Sequence, residues 1–187
     1  MSIKIDPALI QMFAENVRAE VLPRPGTMKL DPLIIQKIAQ RVPVFAGMTP
    51  ACLMATLSEG DHYPVKAGEP VFKEGDIGSA FYVVISGEVS VQKLRNGECV
   101  VLARLGTGEC FGEMALVRND VRTATVVALR DSVTMRFERE RIDANPASAH
   151  MIYRNIARIL SSRLDDSSVM LADLVVQHKN SSGFTPI

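Results

Sequence analysis

Between residues 61 and 138 the sequence breaks into short runs rich in Val, Ile, Phe and Tyr, separated by glycine turns. In order these are EPVF, GDIGS, AFYVVI, SGE, VSVQK, RNG and ECVVLARL, then, after one interruption, TATVVAL and SVTMRF. Strand-like runs recurring at intervals of roughly 8 to 12 residues predict an antiparallel sandwich or barrel, because each strand must turn back before it can pair. Gly75, Gly78 and Gly87 sit where such turns are needed. The segment is therefore expected to fold as a compact β-roll.

Both flanks change period. Four sites place a capping residue before a proline, Asp6-Pro7, Asp31-Pro32, Thr49-Pro50 and Asn145-Pro146. Proline suits the first helical position, where its missing N–H has no intrahelical acceptor to lose. Helices are predicted over about 7–21, with Leu9, Ile10, Phe13, Val17 and Val21 at helical spacing, over 32–42 and over 50–58. PRPG at 23–26 is a turn or linker. After Pro146 a helix runs to about 176, longer than the average globular helix, with Ile152, Ile156, Leu160, Leu164, Leu171 and Leu174 in a stripe. The expected organisation is an N-terminal helical extension (1–36), the β-roll (37–145), a C-terminal helix (146–176) and a flexible tail (177–187).

Composition narrows the function. Hydrophobic residues make up 47% of the 187, enough for a sizeable core, and Lys+Arg and Asp+Glu balance at 21 each. A nucleic-acid binder usually carries a basic excess, since phosphate neutralisation drives its binding, so nucleic acid is not the expected partner. The N-terminus MSIKIDPALIQMF lacks a secretory core, and no apolar run approaches the roughly 20 residues that cross a bilayer. Cys52, Cys99 and Cys110 are odd in number and widely spaced, and they do not cluster with His62, His150 or His178. They are expected to be free, buried thiols in a reducing cytoplasm, with no metal site. No local motif pairs a nucleophile with a base, so no catalytic residues are expected.

The interruption in the strand pattern, FGEMALVRNDVRTATV at 111–126, carries the chemistry. Gly112 permits close backbone approach, and Glu113 to about Asn119 has the composition of one or two helical turns. A short helix starting at a glycine offers free amides and the positive end of its dipole to an anion. Arg122 follows, with a planar fork that can clamp an anion through two bonds. Glu113, an acceptor when ionised, suits a neighbouring hydroxyl. Together these features suit a phosphorylated sugar, while Glu113 and Arg122 taken alone read first as a structural ion pair.

The same stretch resembles the phosphate-binding cassette of cyclic-nucleotide-binding domains, commonly written FGE-aliphatic-A-L followed by PR-x-A-T-V. VPVFAGMTPACLMATL and GEPVFKEGDIGSAFYVVISGEVSV resemble that family's leading helices and glycine-punctuated strands, so the likeness covers about 37–165. The resemblance implies a mainly β fold with flanking helices: an antiparallel, jelly-roll-like β-roll with N-terminal helices, a short cassette helix and a long C-terminal helix. It implies a cyclic mononucleotide ligand, cAMP or cGMP, bound by Gly112, Glu113, Met114, Ala115, Arg122 and Thr123. Glu113 would accept the ribose 2′-hydroxyl and Arg122 would hold the cyclic phosphate. The amides of Gly112, Glu113 and Ala115 would cradle phosphate and ribose, and Thr123 would lie beside the phosphate and could reach a guanine.

One departure is Val121, where many members carry proline, which fixes the backbone more firmly. Arg154, Arg158 and Arg163 on the last helix are expected to be solvated, unless one meets the purine as that helix does in the family. The function implied is an allosteric signal-transduction module, cytoplasmic and not inserted in a membrane. It would act on an effector protein the sequence does not name, and the C-terminal helix could also form a homodimer. Two alternatives are a catabolite-activator-type sensor without its DNA-binding part and a degenerate domain serving as a scaffold. For the first, about a dozen residues after Val175 are too few for a helix-turn-helix.

Overall fold

The computed structural model describes residues 32–118 and 121–181. The predicted helix over 7–21, the 23–26 turn and most of the tail lie outside the described residues. Helix α1 spans Pro32–Arg41, a 3-10 turn follows at Pro43–Phe45, and α2 spans Pro50–Ser58. Strands β1 (Asp61–Val65), β2 (Pro70–Phe72), β3 (Ala80–Ser86), β4 (Glu88–Arg95), β5 (Glu98–Gly106) and β6 (Cys110–Phe111) lead to the cassette helix α3 (Glu113–Arg118). Strands β7 (Thr125–Ala128) and β8 (Ser132–Glu138), helix α4 (Arg139–Asp143) and the long α5 (Pro146–Ser181) complete the described chain.

The strands pair antiparallel in two four-stranded sheets, ordered β1-β8-β3-β6 and β2-β7-β4-β5. The roll with flanking helices is the expected architecture. Two of the proline starts are capped as expected. Thr49 Oγ1 accepts from the Cys52 amide at 3.2 Å, and Asn145 Oδ1 accepts from the Ser148 amide at 3.2 Å. Differences fall where the pattern is weak. Strand β1, DHYPV, lacks alternation and holds Pro64, which an edge strand tolerates because its outer amides need no partner. The five-residue α4 is charged and too short to show a period, and α5 ends at Ser181 rather than near 176.

Strand β3 explains the layering. Successive side chains of a strand point to opposite faces, so a strand buried on both sides reads as a continuous apolar run. Phe81, Val83 and Ile85 face a core shared with Ile35, Ile38, Phe45, Leu53, Ile152 and Ile156 from the helices. Ala80, Tyr82 and Val84 face a second core between the sheets, with Val71, Val89, Leu105 and Val126. Phe81 stacks on Phe137 at 4.9 Å, and Phe45 meets the same ring edge-on at 5.7 Å. The first sheet is thus a partition between a helical layer and the roll's interior. Among the described residues, the buried side chains of α5 lie in its first half; Leu164, Met170, Leu171 and Leu174 are exposed.

Candidate ligand-binding site

Strand β6 pairs with β3, Cys110 opposite Val83 and Phe111 opposite Tyr82, which fixes where the cassette begins. Gly112 then turns the chain at φ +77, a region that a side chain enters only with strain. Space is short as well: a Cβ there would stand 2.9 Å from Arg122 Nη1 and 3.3 Å from the Ala80 carbonyl. Helix α3 follows, and the amides of its first turn have no intrahelical acceptors. Ala115 and Leu116 are buried, Leu116 within the helical-layer core, and the Ala115 carbonyl accepts from Arg139 Nη2. One side of the cassette helix is thereby fixed to α4 and the helical layer.

Arg122 is only 4% exposed, an unusual place for a guanidinium. Its Nη1 donates to the carbonyls of Ala80 at 2.7 Å and Gly112 at 2.9 Å. Its Cζ lies 4.2 Å from the centroid of the Phe72 ring, a cation–π contact that replaces part of the lost hydration. Gly78 closes in so tightly that a Cβ would sit 2.6 Å from Nε and 2.7 Å from Nη2. Burial pushes the guanidinium pKa down, an effect opposed by neighbouring Tyr82, Glu138 and Asp76, and arginine stays charged at neutral pH regardless. Among the described residues both of its hydrogen bonds run through Nη1, which leaves the Nε–Nη2 edge for a two-point acceptor.

The backbone around Arg122 is also pinned. Its amide donates to the Asp76 carbonyl at 2.7 Å, its carbonyl accepts from the Gly75 amide at 2.9 Å, and Val121 bridges Ile77. The firmness that proline would lend position 121 comes here from bonds to the turn between β2 and β3. A cleft of about 430 Å³ opens beside it, lined by Phe72, Gly78, Ser79, Tyr82, Arg122 and Arg136 among others. Of the six expected site residues only Arg122 lines that cleft. Thr123 Oγ1 donates to Met114 Sδ at 3.6 Å, so those two meet across the cassette.

Glu113 corrects two expectations. It is 3% exposed and is paired, but its partner is Arg163 rather than Arg122. Arg163 Nη1 donates to Glu113 Oε1 at 2.5 Å and Nη2 to the Cys110 carbonyl at 2.7 Å, so this arginine of α5 is not simply solvated. Among the described residues no carboxylate lies in salt-bridge range of Arg122. The two charges are therefore held separately: Arg122 by the carbonyls of Ala80 and Gly112, Glu113 by Arg163. Cys110 is buried as expected, its thiol pushed up to about 12 by burial and then by Glu113, whereas Cys99 is exposed and Cys52 half-buried. All three are free. Among the described residues no cluster of three or more His, Cys, Asp or Glu is placed to hold a metal ion, and no helix is long and apolar enough to cross a membrane.

Sequence reasoning missed the arginine clamp on Glu113, the Arg139 tie to the cassette and the Phe72–Gly78 seat of Arg122. Arg163 stands 50 residues from its partner, beyond any local motif. Gly78 carried a signal, but as a turn glycine.

A β-roll that presents a buried arginine edge and a buried glutamate around a short helix start defines a nucleotide-binding type of module. Residues 64–144 match the family model described as "Cyclic nucleotide-binding domain", and the chain carries a domain of that family. It is 34% identical over 130 residues to the "Cyclic AMP receptor protein" of Thermus thermophilus, covering 69% of this chain and 60% of that protein. The crystal structure of Thermus thermophilus Catabolite Activator Protein superposes with a TM-score of 0.66 at 34% identity, over 71% of this chain and 63% of that one. The regulatory domain of Toxoplasma gondii PKA with cAMP gives a TM-score of 0.55 at 26% identity, over 63% of this chain and 46% of that one. The chain thus spans about 60% of the length of its cyclic AMP receptor relative.

Proposed function

We propose that this chain is a non-catalytic receptor for a cyclic mononucleotide, cAMP or cGMP. In this reading Arg122 binds the cyclic phosphate beside the amides of Gly112, Glu113 and Ala115, Glu113 accepts the ribose 2′-hydroxyl, and Met114 and Thr123 border the ligand. The observation that carries it is the seating of Arg122. A guanidinium fixed through one nitrogen, with its other edge left for a two-point acceptor, is built for an oxyanion rather than for fold stability. The relative named as a cyclic AMP receptor supports cAMP as a ligand. Output goes to a partner protein or a second copy in the cytoplasm, because binding shifts a conformational equilibrium only through a surface that differs between states.

Calorimetric titration with cAMP and cGMP tests the assignment. Arg122→Ala should weaken binding by about 2–5 kcal/mol, the usual cost of removing one member of a desolvated charge pair. Glu113→Ala should weaken it less. Folded variants that bind like the parent would refute the site. A catabolite-activator-type sensor is the second reading, favoured by the long α5 and its exposed apolar residues. A scaffold that has lost its ligand is opposed by the intact Glu113 and Arg122.

A further inference from the structure

Burial lowers the Arg122 pKa first of all, and Glu138 and Asp76 are the carboxylates near enough to oppose it. Among the described residues neither forms a salt bridge with Arg122; both are bonded elsewhere. Glu138 lies on β8 opposite Ala80, the residue of β3 whose carbonyl accepts from Arg122 Nη1. Residues paired across a sheet share a face, so a turn of the Glu138 side chain would carry its carboxylate toward Arg122. Three bonds prevent that approach by the acids. Ser79 Oγ donates to Glu138 Oε2 at 3.0 Å, and the Arg136 guanidinium pairs with Glu138 Oε1. The Lys73 amide donates to Asp76 Oδ2 at 2.7 Å. Ser79 and Arg136 also line the cleft beside Arg122. For stability alone their pairing is worth little, because the Arg136 and Glu138 side chains are 37% and 24% exposed.

We propose that Ser79 and Arg136 are positioning residues of the ligand site: by occupying both oxygens of Glu138 they keep that carboxylate off Arg122, whose Nε–Nη2 edge stays open for an anion. The inference rests on the reading that Arg122 receives the cyclic phosphate. A buried guanidinium with an open edge attracts any carboxylate within reach, since charge-assisted bonds strengthen where water is scarce. A freed Glu138 would satisfy that edge from within the chain, and the nucleotide would then have to displace it. Ser79 and Arg136 therefore act on affinity without touching the ligand. Their partner is an acid that the site must hold at a distance.

The test is calorimetry on the full chain with cAMP and cGMP, for the parent, Arg136→Gln, Ser79→Ala and Glu138→Gln. Two double variants add Glu138→Gln to each of the first two, and circular dichroism melts confirm that every form is folded at the titration temperature. Arg136→Gln should weaken both nucleotides about tenfold, the size of one charge-assisted bond gained by the competing carboxylate. Ser79→Ala should weaken them less, since it frees only one oxygen, and it carries the test alone if Arg136→Gln does not fold. Glu138→Gln should bind at least as tightly as the parent, and adding it to either single variant should restore the parent's affinity. A loss that persists in the double variants overturns the proposal, because Arg136 or Ser79 would then touch the ligand itself. Parental affinity in both Arg136→Gln and Ser79→Ala overturns it too, as do unequal losses for cAMP and cGMP, which would place Arg136 at the base. Failure of the parent to bind either nucleotide overturns the ligand assignment instead.

Discussion

Gly78 belongs to Arg122 as much as to its own turn. A methyl at that position would enter within 2.8 Å of Nε, Nη2 and Cζ, pushing the guanidinium off Phe72 and off its carbonyl partners. Gly78→Ala should therefore weaken nucleotide binding tenfold or more, about 1.4 kcal/mol, while urea unfolding shows a smaller loss. Equal losses in both would mean that Gly78 serves the turn alone. Thr123→Ala should reduce cGMP affinity more than cAMP affinity, by about 1 kcal/mol for one neutral hydrogen bond to the guanine amino group. Thr123 already donates to the Met114 sulfur, a weak acceptor that a ligand can outbid. Matching losses for the two nucleotides would place Thr123 at the phosphate instead. At this scale the cassette was legible because its chemistry is local, sixteen residues holding glycine, glutamate, arginine and threonine in order. Arg163, Phe72 and Gly78 were not legible, because tertiary folding alone brings them to that segment.

Among the elements, α5 has a packed half and a half whose described side chains are exposed. Beyond Arg163 it presents Leu164, Val169, Met170, Leu171, Leu174, Val175 and Val176 to solvent. Asp165, Asp166 and Ser167 do not break it; Ser167 and Ser168 bond back to the carbonyls of Arg163 and Leu164 at 2.8 and 2.9 Å. Such back-bonding bends a helix slightly without ending it. So many apolar side chains exposed along one stretch of helix call for a covering surface. Light scattering should give twice the chain mass, and truncation after Leu164 should return a monomer. A monomer at high concentration, unchanged by that truncation, would exclude self-association. Strand β3 could be read because burial on both faces leaves an unbroken apolar run, and α5 because its inner stripe keeps a helical period. Strand β1 and helix α4 have neither signal: one is an edge with a proline, the other five mostly charged residues.

For the whole molecule, proton linkage gives a direct stability test. The Cys110 thiol titrates near 12 in the fold against an ordinary 9.0, chiefly because burial disfavours the thiolate, and Tyr82 and Tyr153 are also raised, by burial first. Above about pH 9 the unfolded chain gives up a thiol proton that the native chain keeps, so stability falls as pH rises. Cys110 alone contributes a decline of about 1.4 kcal/mol per pH unit, complete by about pH 12 and absent below pH 9. Urea midpoints at pH 8, 9 and 10 under reducing conditions should show it, with Cys110→Ala giving a flatter trend; identical slopes would assign the decline to other groups. The partition formed by β1, β8, β3 and β6 has a different consequence. Each of its faces belongs to a separate core, so heat or denaturant can loosen the helical layer while the roll behind it keeps its own packing. Arg122 is held by Ala80, Gly112 and Phe72, all on the roll side, whereas Leu116 and Arg163 tie the cassette to the helices. A partly melted molecule would therefore keep its anion seat and lose its messenger, remaining able to sequester nucleotide while reporting nothing.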